Sequence, residues 1–166
     1  MMTENPCSPN HISHPAILSY NQDMKVNYRI LLIIHLFVGL GALGGGLVAI
    51  VDPYKPLGIP VELLEGSPFS NYLVPGLILF VIIGMGHIFS ALTVIKKSKW
   101  QGYISSVFSW ALMIWIVVQC IIINTVEFLH ILYFLIGLLG AVLAMRILFE
   151  QGQFPANFYK SRPWQK

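Results

Sequence analysis

The chain has 166 residues, of which 56% are hydrophobic and 10% charged, against the roughly 25% charge usual in soluble globular proteins. With a mean hydropathy of +0.72, 10 Lys+Arg against 7 Asp+Glu and two cysteines, the composition argues against an ordinary soluble domain, a disulfide scaffold or a nucleic-acid-binding protein. The class left is an all-α polytopic membrane protein.

In chain order, residues 1–27 scatter Asn, Ser, Pro and His and predict a disordered N-terminal tail. Residues 28–149 form the membrane domain. Its uncharged apolar runs are Ile30–Val51, Tyr72–Ile95, Ile104–Ile123 and Phe128–Met145, the last extendable to Phe149. Each is near the ~20 residues that cross a hydrocarbon core. Four such runs, none holding an Asp, Glu, Lys or Arg, do not suit surface helices and predict an antiparallel four-helix transmembrane bundle. The first run is too long, and too far from the start, for a cleaved signal peptide.

Between the first two spans, Pro60 suits a first helical position and Gly66 a stop, which predicts one short interfacial helix. Val61, Leu63 and Leu64 would dip into the acyl boundary while Glu62 and Glu65 face water. Residues 150–166 form a tail whose Phe154, Phe158, Tyr159 and Trp164 lie among Lys160, Arg162 and Lys166, a pattern of headgroup anchoring.

Basic residues set the threading. Lys25, Arg29, Lys96, Lys97, Lys99, Arg146, Lys160, Arg162 and Lys166 fall on one side, with only Lys55 on the other. The positive-inside rule places both termini in the cytoplasm and the 52–71 and 124–127 connections outside.

The segments Asp52-Pro53, Leu57-Gly58-Ile59-Pro60, Ser67-Pro68-Phe69 and Tyr72-Leu73-Val74-Pro75-Gly76-Leu77-Ile78-Leu79 resemble a family of small four-span bacterial membrane proteins with no assigned activity. The resemblance runs from the glycines of the first span through the fourth. It implies the four-helix fold and a bacterial plasma membrane, and it carries over no catalytic residue.

Small residues mark packing faces. Gly41/Gly45, Gly86/Ser90 and Gly137/Ala141 are the expected seams, because helices in lipid associate through close backbone approach. Gly39-Leu-Gly41-Ala-Leu-Gly44 satisfies GxGxxG but lacks the strand, turn and downstream acid that a dinucleotide site needs. Gly44-Gly45-Gly46 beside Asp52 is the place where an unwound, ion-coordinating stretch would lie; an intact helix is the plainer reading.

Polar residues within the spans are where function is sought. His35 and His87 both lie ~9–14 Å inside the basic boundary, so they are candidate cofactor ligands, for a haem iron above all, or a proton relay. The structural alternative bonds each to Ser109, Thr93 or a backbone carbonyl. A second layer, Asp52, Gln119, Glu127 and His130, is a candidate ligand vestibule at the outer side. Glu127 and His130 make half of a metal-binding Glu-x-x-His pattern, and two such motifs are required; no metal site follows. Asn124 as N-cap with Glu127 three residues on accounts for Glu127 as a capping box. Trp110, Trp115 and Tyr133 suit packing or interface anchoring.

No catalytic constellation emerges. Cys7 and Cys120 lie at opposite sides, which argues against a thiol oxidoreductase, and no carboxylate sits deep in a span as proton-coupled export would want. The leading expectation is a non-enzymatic accessory or interaction subunit of the cell envelope, with the bilayer and a membrane-protein partner or a second copy as its contacts. Its alternatives are a small transporter or ligand-binding bundle using the outer vestibule, and a haem- or quinone-associated redox anchor centred on His35 and His87.

Overall fold

The computed structural model describes residues 14–151, and every regular element among them is helical. Residues 1–13, with Cys7, and the aromatic and basic tail from 152 onward lie outside the described residues.

Four helices are long and apolar enough to cross a membrane. Helix α1 spans His14–Val51, with its apolar part at Met24–Val51. Residues 14–27 are therefore helical, a correction to the disordered tail expected there. Polarity misled that expectation: Pro15 falls in the first turn, where a missing N–H does no harm, and the residues that follow hold no further Pro or any Gly up to Gly39. The glycines at 44–46 stay helical, so α1 is not unwound beside Asp52.

Helix α2 spans Leu73–Ile95, with Pro75 in its first turn. Its middle, Ile78–Met85, is π-helical, with Gly86–Ile95 returning to α geometry. Helix α3 spans Gln101–Ile123 and α4 spans Phe128–Glu150. The α2–α3 connection closes on Lys97 at φ 49°, with Lys97 N–H on Val94 O at 3.1 Å and Ser98 N–H on Thr93 O at 3.0 Å. These bonds satisfy carbonyls that the last helical turn leaves free.

The expected single helix of the 52–71 connection is instead two 3₁₀ turns, Pro56–Gly58 and Val61–Leu64. Pro60 caps the second turn rather than opening it, and Gly66 at φ 84° ends the segment too soon for an α-helix to establish itself. Val61 and Leu64 do not point away from the helices. Leu64 is buried with Ala49 and Tyr72, and Val61, Phe69 and Ile122 pack on that cluster; only Leu63 of the three apolar residues stays exposed. Tyr72 ties the segment down twice, donating its hydroxyl to Pro60 O at 3.1 Å and its N–H to Pro53 O at 2.9 Å.

Helix α1 packs along the length of α2, and α3 packs along α4. The α1–α2 seam is built on glycine. A Cβ at Gly46 would lie 2.7 Å from Phe80 N and 2.9 Å from Gly76 O, and one at Gly76 would lie 2.7 Å from Ala49 Cβ. Farther along, Gly39 faces Ile88 and Gly84 faces Leu43. Of the expected seam pairs, Gly86 meets Phe108 and Gly137 meets Met113 and Leu112, while Gly41 meets the hydroxyl of Tyr133 and Gly45 meets Leu79. The interior is a cluster of Leu31, Ile34, Val38, Ile83, Leu112, Trp115, Ile116, Leu143 and Ile147. Large apolar side chains also cover the outside of all four helices, among them Ile33, Leu40, Val81, Val107, Ile121 and Leu135. Helices apolar all round are the form that sits within lipid or within a larger core.

Candidate functional site

A cavity of about 260 Å³ lies among all four helices near the end that carries the 52–71 connection. The sequence places the small residues Gly41, Ala42 and Gly45 on one side of it, and α2 adds Leu79 and Ile83. Opposite, α3 contributes Trp115 and Gln119, four residues apart on one face, and α4 contributes His130 and Tyr133, three apart on one face. Gly41 and Gly45 are both exposed where they line it.

The polar side chains of this cavity are Gln119, His130 and Tyr133, with the indole of Trp115 beside them. Trp115 is buried, and its Nε1, which can only donate, has neither a partner nor accessible surface, so it does not open onto the cavity. His130 Nδ1 accepts from Glu127 N–H at 3.0 Å. A neutral His130 therefore carries its proton on Nε2. Tyr133 lines the cavity beside Gly41 and stacks on Phe37, with ring centroids 5.9 Å apart. Among the described residues, no Asp, Glu, Lys or Arg lines the space.

The expected outer layer is thus divided. Gln119 and His130 come together in the cavity, whereas Asp52 and Glu127 do not reach it. Asp52 is exposed and accepts the Lys55 N–H at 3.1 Å through Oδ1, closing a turn. Glu127 is the N-cap of α4, with φ −93° and ψ 160°. The capping box is real but shifted by three residues: its members are Glu127 and His130. Asn124, expected as the cap of α4, instead ends α3 in the left-handed region at φ 52°, a conformation Asn tolerates better than most residues.

Deeper in the protein, the structure brings His35 and His87 together. Both are fully buried, with ring centroids 5.2 Å apart and the rings tilted by 60°. His87 Nδ1 lies 2.9 Å from Ile83 O; a carbonyl only accepts, so this nitrogen donates and Nε2 carries a bare lone pair. His87 therefore follows the backbone-carbonyl alternative, while His35 follows none of those foreseen: neither ring nitrogen has a partner, nor does the hydroxyl of Ser109. Thr93 donates to Ser90 O at 2.8 Å and Ser90 to Gly86 O at 3.0 Å.

The pair does not fit a haem. The two rings lie 5.2 Å apart, and a Cβ at Gly86 would collide with the Phe108 ring, itself 6.3 Å from His87. A macrocycle between the two imidazoles would need the space these contacts fill. Among the described residues no group of three or more His, Cys, Asp or Glu gathers as a metal site. Cys120 is a free, half-buried thiol.

Trp115, Tyr133 and the Gly41/Gly45 wall were not foreseen as site residues. The signal was present in the spacing, because Trp115 with Gln119 and His130 with Tyr133 each share a helical face, but no spacing shows that these two faces meet. No protein-family model, curated protein or solved structure matches the chain; the resemblance of the 52–79 segment gains no support from these comparisons.

Proposed function

We propose that this chain is a multi-pass protein of the bacterial plasma membrane that binds a small lipid-soluble ligand within an antiparallel four-helix bundle. One observation carries the reading: an interior cavity, mostly apolar, on which a few polar side chains of α3 and α4 converge. The four apolar helices and their apolar outer faces support membrane insertion. Lys25, Arg29, Lys96, Lys97, Lys99 and Arg146 support cytoplasmic termini, which puts the cavity in the outer half of the bilayer.

This reading replaces the expected accessory role as the preferred one. The small-residue faces that motivated a partner or a second copy are largely engaged within the chain, at Gly39, Gly46, Gly76, Gly84, Gly86, Gly137 and Gly140. The vestibule is retained in narrower form, as Gln119 and His130 with Trp115 and Tyr133.

Gly45→Leu supplies the test. A Cβ there meets only Leu79, at 3.5 Å, so a larger side chain is added at the cavity lining without forcing the helices apart. Native mass spectrometry after mild detergent extraction should show a retained small molecule on the wild-type protein and none on Gly45→Leu. Identical bare masses for two folded proteins would remove the reading.

A further inference from the structure

We infer that the end of the bundle opposite the 52–71 connection holds a second site, which binds the head of an anionic phospholipid. The inference rests on the proposed membrane insertion and not on the ligand of the first cavity. Where the early part of α1, the α2–α3 connection and the end of α4 come together, a cavity of about 1330 Å³ is lined by Lys25, Arg29 and Lys97, with Tyr28, Gln101 and Gln151. A bond between distant parts of the chain ties this space together: Gln151 Nε2 donates to the Tyr28 hydroxyl at 3.1 Å, joining α1 to the end of α4. A phenol that accepts this bond keeps its own hydrogen to donate.

Charge selects an anion. Three cations share the space and, among the described residues, no Asp or Glu lines it. An anion relieves their mutual repulsion, and a guanidinium with two ammonium groups is a donor set that a phosphate oxyanion accepts from strongly. Depth and lining then select a lipid over a soluble phosphate. The apolar part of α1 begins at Met24 and that of α2 ends at Ile95. Lys25 and Lys97 therefore stand at the apolar limits, with Arg29 about one turn beyond Lys25, at the level where headgroups lie. Met24, Val26 and Val94 give the same cavity an apolar lining, which an acyl chain covers and a soluble phosphate leaves wet. The volume also exceeds the roughly 300–1,000 Å³ of small-molecule pockets. Other cations of this end stand elsewhere: Lys96, Lys99 and Arg146 do not line the cavity, and Lys99 lies over the Trp100 ring at 5.5 Å.

The purified full chain in a non-ionic detergent is titrated with dioleoylphosphatidylglycerol, with dioleoylphosphatidylcholine and with glycerol 3-phosphate, and bound mass is read by native mass spectrometry. The glycerol lipid should bind on the order of tenfold or more tightly than the choline lipid, which has the same chains and no net charge. Lys25→Gln, Arg29→Gln and Lys97→Gln should each weaken it about fivefold, and the triple variant should lose the preference. A control triple, Lys96→Gln with Lys99→Gln and Arg146→Gln, removes as many charges from the same end and should keep it. Equal weakening by the two triple variants would mean diffuse attraction rather than a site, and equal affinity for the two lipids would mean no recognition of charge; either result overturns the inference. Displacement of the bound lipid by glycerol 3-phosphate at equal concentration overturns the lipid and makes a soluble phosphate the occupant. Carbonate extraction of native membranes reads insertion separately. A chain that stays in the pellet but shows no lipid preference has lost this site alone, and a chain that is released has lost the insertion on which the site rests.

Discussion

At the scale of single residues, what a position does is decided by what stands opposite it. Gly44 and Gly76 are both helical glycines, yet a Cβ at Gly44 would meet nothing within 4 Å, whereas one at Gly76 would press on Ala49 and on Gly46 O at 3.2 Å. Gly44→Ala should raise stability by up to about 1 kcal/mol, the helix-propensity difference. Gly76→Ala should lower it by about 1–3 kcal/mol through overpacking of the α1–α2 seam. Thermal melts in one detergent decide both, and matching shifts of the two variants would show that the seam is not where the contacts place it. The glycines could be read in the sequence as close-packing residues, but their opposite numbers could not, because small-xxx-small spacing names a face without naming its neighbour. The same holds for His35 and His87. Their common depth was legible from the distance to Arg29 and Lys96; their contact at 5.2 Å depends on the rotation of α1 against α2, which no single-helix pattern fixes.

At the scale of elements, the span limits were legible and the connections were not. Hydrophobic run length is a strong signal, and apart from the start of α1 at His14 the helices end within a few residues of the charge-free limits. Short turns are governed by individual φ/ψ demands: Gly66 ends its segment as expected, but Lys97 redirects the chain at a positive φ the sequence did not assign to it, and Asn124 ends α3 at a positive φ instead of opening α4. Nor did the sequence announce the π-helical stretch Ile78–Met85, since its apolar residues read the same in either helical form. It lies just before His87, whose ring bonds to the carbonyl of Ile83 within it; π-helical turns recur at functional sites.

The 52–71 connection is held by Tyr72, and its hydroxyl sets a pH dependence. Burial, with Glu62 adding to it, raises the hydroxyl above its ordinary pKa. For a group whose folded pKa is raised, stability is fully present below the unfolded value of about 10 and is lost as pH rises through the folded value. Tyr72→Phe should therefore lower the thermal midpoint at pH 8 by the loss of one hydrogen bond, about 1 kcal/mol, and the gap to wild type should narrow above pH 10. A gap constant across that range would mean that the hydroxyl does not hold the connection.

At the scale of the whole molecule, the all-helical build with four long apolar helices followed from composition and run length alone, whereas the site needed four helices at once. The cavity takes side chains from α1, α2, α3 and α4, and a sequence read helix by helix grouped residues by depth instead. That is why Asp52 and Glu127 were placed with Gln119 and His130: all four belong to one end, but Asp52 and Glu127 cap turns and helices at the surface while the other two face inward. Depth alone does not separate the two roles. Threading is tested by a membrane-impermeant thiol reagent added to intact cells. A single-cysteine protein with Tyr54→Cys should label and one with Ser98→Cys should not; the reverse pattern would invert the cavity to the inner half.

The most direct single measurement is an experimental density map of the protein in a lipid nanodisc, inspected between Trp115, Gln119, His130, Tyr133 and Gly45. A feature belonging to no residue, with polar atoms within hydrogen-bond distance of Gln119, His130 or Tyr133, is the predicted result. Side chains closing that space, with no room for a ligand, would contradict the account.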